Sequence, residues 1–170
     1  MCAARAGGDS TITMQTVSFT LNGKPVAAMV GPVDSLRDVL REKLHVYSVK
    51  AGCGQGGCGS CTVLVSGDPI VSCLMPARVA EGLEIITLEG IGTPAQLHPL
   101  QQAFYDNFAA QCGFCTAGMI TVAKALLDRN AHPTREEIVE ALAGNLCRCT
   151  GYLPIISAVQ DAATRMNRGG

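Results

Sequence analysis

Eight of the nine cysteines fall into two groups of four. The first is Cys53, Cys58, Cys61 and Cys73, spaced C-x4-C-x2-C-x11-C and set in AGCGQGGCGSC and the run after it. The second is Cys112 and Cys115 in QCGFC with Cys147 and Cys149 in NLCRCTGY, a C-x2-C and a C-x-C separated by 31 residues. Four thiolates brought together can hold a metal ion or an iron–sulfur core, and two can close a disulfide. Other chemistry is poorly represented. His45, His98 and His132 stand apart in or beside predicted helices and read as surface or capping histidines. GCGQGGCG contains a G-x-G-x-x-G look-alike at Gly52, Gly54 and Gly57, but it runs through the cysteines and no helix follows it. No Walker motif occurs. What remains is metal binding and one-electron transfer.

The first quartet has the spacing of a plant-type [2Fe–2S] loop. Glycine stands at 52, 54, 56, 57 and 59. So dense a set lets backbone N–H groups approach an inorganic core and point at its sulfurs. In the second quartet Cys115 precedes a predicted helix, whose N-terminal N–H groups would face a negative cluster. Two inter-helix turns facing each other would close that site inside a bundle. Structural zinc usually takes two C-x2-C knuckles, which the first quartet lacks. For the second quartet zinc stays open on spacing alone, and the neighbouring quartet weighs against it. Cys2 has no partner nearby and reads as a bystander.

Composition narrows the class. Thirteen basic and 14 acidic side chains leave a net charge of −1, which offers no basic face for nucleic acid or a membrane surface. No apolar run approaches the ~20 residues of a membrane span. MCAARAGGDSTITMQ has neither a charged-then-apolar leader nor a twin arginine. The expected location is the cytoplasm, where clustered thiols stay reduced and suggest metal. Hydrophobic residues make up 48% of the chain and aromatics only 4%, so the core must be aliphatic.

The elements that must position the cysteines follow from periodicity. Val17, Phe19 and Leu21 alternate before Asn22-Gly23, which predicts a hairpin over residues 16–30 with Pro25 on an edge strand. A helix is expected from Asp34 as N-cap, with Leu36, Val39, Leu40 and Leu44 on one face. Thr62–Ser66 and Ile70–Cys73 predict a second hairpin turning at Gly67-Asp68, and Glu84–Leu88 a further strand. The order suits a β-grasp sheet with one helix across it. Beyond EGIGTPAQL the pattern turns helical: His98–Ala110, with Leu100, Phe104 and Phe108 on one stripe; Ala117–Asp128; a helix opened by the Thr134-x-x-Glu137 capping box and ending near Gly144; and one from Pro154 to about Arg165. The expected class is α+β. Residues 1–14 form a tail, 15–89 a ferredoxin-like domain, 90–97 a linker and 98–170 a four-helix domain.

These motifs resemble a known family. GCGQGGCGSCTV with Cys73, and QCGFCTAGMI with GNLCRCTGY, look like the two-cluster iron–sulfur subunit of the molybdenum hydroxylases, the xanthine dehydrogenase, aldehyde oxidoreductase and carbon monoxide dehydrogenase family. The match covers about residues 15–165. The resemblance implies a plant-ferredoxin-like β-grasp domain and a four-helix [2Fe–2S] domain. It implies that Cys53, Cys58, Cys61 and Cys73 bind a cluster near FAD. Cys112, Cys115, Cys147 and Cys149 would bind one near molybdenum. Gln111 would hydrogen-bond the pterin, and Cys149 would contact its amino group. Read alone, Gln111 is a polar residue at a helix C-terminus. The implied partners are a large molybdopterin subunit, carrying the cytosine dinucleotide form, and a medium FAD subunit, in a dimer of heterotrimers.

Two positions depart from the family pattern. Ala117 stands where proline is common, and Leu153-Pro154 where many members have Gln-Asn. With no flavin or molybdenum domain visible, the chain reads as a separate electron-transfer subunit. The alternatives are a free two-cluster ferredoxin and a structural zinc adaptor. A free carrier would expose a strongly acidic face, and this near-neutral, apolar chain does not suggest one. The substrate, whether aldehyde, purine, other N-heteroaromatic or carbon monoxide, would bind on another chain.

Overall fold

The computed structural model describes residues 13–168. Cys2 and most of the expected tail lie outside them. Strands β1 (Gln15–Leu21), β2 (Lys24–Val30), β3 (Thr62–Val65), β4 (Asp68–Val71) and β5 (Glu84–Ile86) form one sheet in the order β2-β1-β5-β3-β4. β1 and β5 run parallel, and the other neighbours are antiparallel. The first hairpin turns at Asn22 (φ 50°) and Gly23 (φ 77°), the primed turn that its sequence demands. Val17, Phe19 and Leu21 face the core. Pro25 sits on β2, at the sheet edge, where a missing N–H costs no ladder bond.

The second hairpin turns one residue earlier than expected. Val65 pairs with Asp68, so Ser66 (φ 50°) and Gly67 (φ 88°) are the two turn residues. β5 is also shorter than expected, because Thr87 leaves the strand to precede a single helical turn, α2 (Leu88–Ile91).

The first helix differs more. Ser35, not Asp34, is its N-cap: Ser35 Oγ accepts from the Asp38 N–H at 3.2 Å. Asp34 instead accepts the Gly31 N–H and pairs with Lys43 at 2.7 Å. Only α1 (Leu36–Asp38) is α-helical, and Val39–Lys43 continues as a π turn. Leu36, Val39 and Leu40 are fully buried against the sheet, with Leu44 partly so.

The second half holds α3 (Pro99–Asp106), α4 (Thr116–Arg129), α5 (Arg135–Leu142) and α6 (Leu153–Arg168). α3 stops short of the expected Ala110. Phe108 lies beyond its end at φ 52° and is 82% exposed, so it is not part of the buried Leu100–Phe104 stripe. The capping box of α5 is present: Thr134 Oγ1 accepts the Glu137 N–H, and Glu137 Oε2 accepts the Thr134 N–H. α5 ends at Leu142, two residues before Gly144. The expected linker contains the end of α2 and an isolated bridge, Thr93 to Gln96.

Two hydrophobic cores result, one under the sheet and one among the helices. α4 serves as the wall between them. It packs on β3 and β4 on one side and on α3, α5 and α6 on the other. Its burial is therefore nearly all-round, from Ala117 through Ala123, rather than a single stripe. Among the described residues, no helix is long and apolar enough to cross a membrane.

Candidate iron–sulfur sites

The first quartet is carried by the loop between the π turn and β3, with Cys61 at the threshold of β3 and Cys73 just past β4. The backbone must pass close to the thiols. A Cβ on Gly52 would lie 2.8 Å from the Cys58 Sγ, so only glycine fits. Gly59 has φ 67° and is flanked by Asn145 and the Gly144 carbonyl at less than contact distance for any side chain. Ser72, fully buried, donates from Oγ to the Cys61 carbonyl at 2.6 Å, and the Lys50 N–H bonds the Ser60 carbonyl. These bonds fix the ends of the loop.

Within this quartet the thiols meet in twos. Cys53 contacts Cys58, and Cys61 contacts Cys73. The environments of the two pairs differ. Cys53 is exposed, and the N–H groups of Gln55, Cys58 and Gly57 point at its sulfur; with Gln55 contributing most, its pKa falls to about 7. Cys61 is buried, and that burial pushes its thiol upward. The Arg37 guanidinium stands close enough to act electrostatically on Cys73 and Cys61, and its main partner is Asp38 at 2.6 Å.

The second quartet is built from the α3–α4 loop and the α5–α6 turn. Cys149 Sγ lies 3.5 Å from Cys112 Sγ, and Cys115 contacts Cys147. Cys115 occupies the N-cap of α4, 8% exposed, and burial pushes its thiol up to about 12. Cys112 is lowered, chiefly by the Phe114 N–H. Burial disfavours the Cys147 thiolate, but the Thr150 hydroxyl and N–H, at 3.1 and 3.5 Å, outweigh it. The site does not lie inside the bundle. Cys112 and Cys149 are exposed, so one edge opens to the surface.

Gln111 is exposed beside that edge. It is five residues past Asp106, the last residue of α3, so it is not a helix-terminal polar residue. The histidines hold no metal-binding geometry. His98 Nδ1 accepts the Leu100 N–H and caps α3, while His45 meets Tyr47 and His132 meets Asn167.

Among the described residues, no three Cys, His, Asp or Glu side chains converge on one point as a single ion requires. Thiols gathered two and two suit a two-iron core with two thiolates on each iron, and inward N–H groups suit its negative charge. The donor sets therefore fit [2Fe–2S] clusters.

Sequence reasoning missed Asn145. It is 3% exposed, and its Nδ2 donates to the Gly59 carbonyl at 3.1 Å. The available signal was the pair Gly144-Asn145 two residues before a cysteine, which alone reads as a turn.

Comparison with known proteins bears on these sites. A 2Fe-2S iron-sulfur cluster binding domain model matches residues 19–87, and a [2Fe-2S] binding domain model matches residues 87–160. The small FeS subunit of nicotinate dehydrogenase from Eubacterium barkeri is 49% identical over 150 residues, covering 88% of this chain and 96% of that one. A chain of quinoline 2-oxidoreductase from Pseudomonas putida 86 superposes with a TM-score of 0.87 at 46% identity, covering 92% and 98%. Aldehyde oxidoreductase from Desulfovibrio desulfuricans superposes at 0.89 with 49% identity; 91% of this chain matches 17% of that much longer one. With two [2Fe–2S] domain models spanning its length and close relatives of this kind, the chain belongs to the small iron–sulfur subunits of the molybdenum hydroxylases, and is an electron-transferring part of an oxidoreductase.

Proposed function

We propose that this chain holds two [2Fe–2S] clusters in a heterotrimeric molybdenum hydroxylase, between molybdopterin on a large subunit and FAD on a medium one. The observation that carries this reading is the two-by-two gathering of eight thiols in two sites whose loops touch each other. The Leu146 N–H donates to the Cys58 carbonyl at 3.0 Å, so a first-site ligand and the residue before a second-site ligand share a bond. The clusters supply one-electron steps that carry electrons from substrate oxidation at the molybdenum centre toward FAD.

The chain's own residues would do the rest. Cys53, Cys58, Cys61 and Cys73 hold the cluster toward FAD. Cys112, Cys115, Cys147 and Cys149 hold the one toward molybdenum. Their N–H donors stabilise thiolate charge, and the buried members of each quartet, Cys61 and Cys115, keep one side of each site dry. At the open edge of the second site, Gln111 and Cys149 are free to meet the pterin, in its cytosine dinucleotide form. In this reading residues 15–89 are a β-grasp domain, 98–170 a four-helix domain and 90–97 their linker. The assembly is a dimer of heterotrimers in the cytoplasm, with nucleic acid playing no part.

The test is metal analysis of the full chain, alone and with its co-purifying subunits. Iron and acid-labile sulfide should each reach about four per chain, with two distinct paramagnetic signals on reduction. Zinc in place of iron, or a single signal, overturns the two-cluster reading. A chain that retains both signals but binds no larger subunit is a free carrier instead.

A further inference from the structure

We propose that Asn145 is a positioning residue that locks the two cysteine loops together and so fixes the gap between the two metal sites. The proposal rests on the reading that both quartets hold clusters, and it concerns how this chain sets their separation.

The contact is built from three directions. Gly59 lies between Cys58 and Cys61 and is buried. Its carbonyl accepts from the Thr62 N–H at 3.0 Å, from Thr62 Oγ1 at 2.7 Å and from Asn145 Nδ2 at 3.1 Å. Three donors on one buried carbonyl are more than its two lone pairs need. The oxygen is therefore pinned between its own strand and the other half of the chain. Against it lies Gly118 of α4, three residues after Cys115, where a Cβ would strike both the Gly59 carbonyl and Asn145 Nδ2. One point thus gathers Cys58, Cys61, Cys115 and Cys147 within three residues of contact.

Asn145 is itself held. Its N–H bonds the Leu142 carbonyl at the end of α5. Its carbonyl accepts the Tyr152 hydroxyl at 3.3 Å, and the oxygen of that hydroxyl accepts the Cys147 N–H at 2.9 Å. The residue is rigid at both ends: Tyr152 ties it to the second site and Gly59 to the first. The next peptide continues the link through the Leu146–Cys58 hydrogen bond. Cys58 and Cys147 are then joined by covalent bonds interrupted only once. Electron exchange between two centres falls steeply with their separation, so a wire of this kind needs a fixed gap. The second loop is a surface turn, and among the described residues these are its direct hydrogen bonds to the first.

Asn145→Asp tests this in the full, cluster-loaded chain. It keeps the shape and replaces the Nδ2 donor with an acceptor facing the Gly59 carbonyl. Iron should stay at about four per chain, and each cluster should keep its own signal. The magnetic interaction seen when both are reduced together should weaken or change. Exchange of the Leu146 amide should rise about tenfold or more as the shared contact opens. Asn145→Ser, which retains a short donor, should restore part of both. If Asn145→Asp leaves the interaction and the amide protection unchanged, the proposal is wrong. If the variant does not fold, the wild-type Leu146 amide decides the question: exchange at the rate of an exposed turn overturns the clamp. The amide measurement needs no iron, so zinc in the wild type would sink the two-cluster reading while the clamp is still tested.

Discussion

At the residue scale the cysteines divide by exposure as well as by site. Cys61 and Cys115 are buried, while Cys53, Cys112 and Cys149 reach the surface. Cys149 pairs with Cys112 at the open edge, so losing it should damage one site only. In Cys149→Ser, iron should fall from about four to about two per chain, while the first site's signal persists. Two intact clusters in that variant would show that the second ligand set is misassigned. The gathering of the eight thiols was legible in the sequence because the spacing within each short motif is a local constraint. Asn145 was not, because its partner, Gly59, is 86 residues away. Nothing local distinguishes an asparagine that closes a turn from one that reaches across the molecule.

At the element scale the hairpins and capping boxes were readable, since Asn22-Gly23 and Thr134-x-x-Glu137 impose their geometry locally. The first helix was misread because two adjacent residues, Asp34 and Ser35, can both cap. The Gly31 N–H and the pairing with Lys43 draw Asp34 away. The π turn leaves no trace in the apolar spacing. α4 gives the sharpest test. Gly118→Ala should raise helix propensity, by ~1 kcal/mol in an open helix. Here the added methyl meets the Gly59 main chain, which cannot give way cheaply. The variant should therefore be less stable, by about 1–3 kcal/mol in urea unfolding. A stabilised Gly118→Ala would mean that α4 and the first loop are not in contact.

At the scale of the whole molecule the two halves are stitched at several points. Arg129 of α4 pairs with Asp68 of β4. Asn145 bonds Gly59 and Leu146 bonds Cys58, and at the end of the first half Asn22 bonds Thr87 while Glu89 reaches back to Ser48, just before the first cysteine loop. Glu89 lies at the surface. Desolvation of its carboxyl raises its pKa, but the hydroxyls of Ser48 and Thr87 outweigh it and hold the carboxyl below its ordinary value of 4.5. A depressed carboxyl stabilises the fold above that value, and the benefit is lost as pH falls through the folded pKa. Glu89→Gln should thus be less stable than wild type at pH 7, with the difference shrinking below pH 4.5. Parallel stability curves across that range, from thermal melts at several pH values, would show that the Ser48 and Thr87 bonds of Glu89 do not stabilise the fold. Composition predicted two units and a linker. It could not show this stitching, which depends on which surfaces meet. The one hint was the start of α4, from Ala117 to Ala123, too apolar around its circumference to have a solvent face.

All four residues of β3 are buried, Val63 beneath the sheet and Leu64 toward α4 among them. A gene fragment ending at the linker would encode a sheet with an apolar face laid bare, and one beginning there would strip α4 of half its cover. Crossovers inside this stretch are therefore penalised whatever the chemistry of the sites. The two halves should be inherited, duplicated and fused to other genes as one heritable block. The same constraint gives a practical rule for chimaera building: exchange the pair whole, and join new sequence at its outer ends.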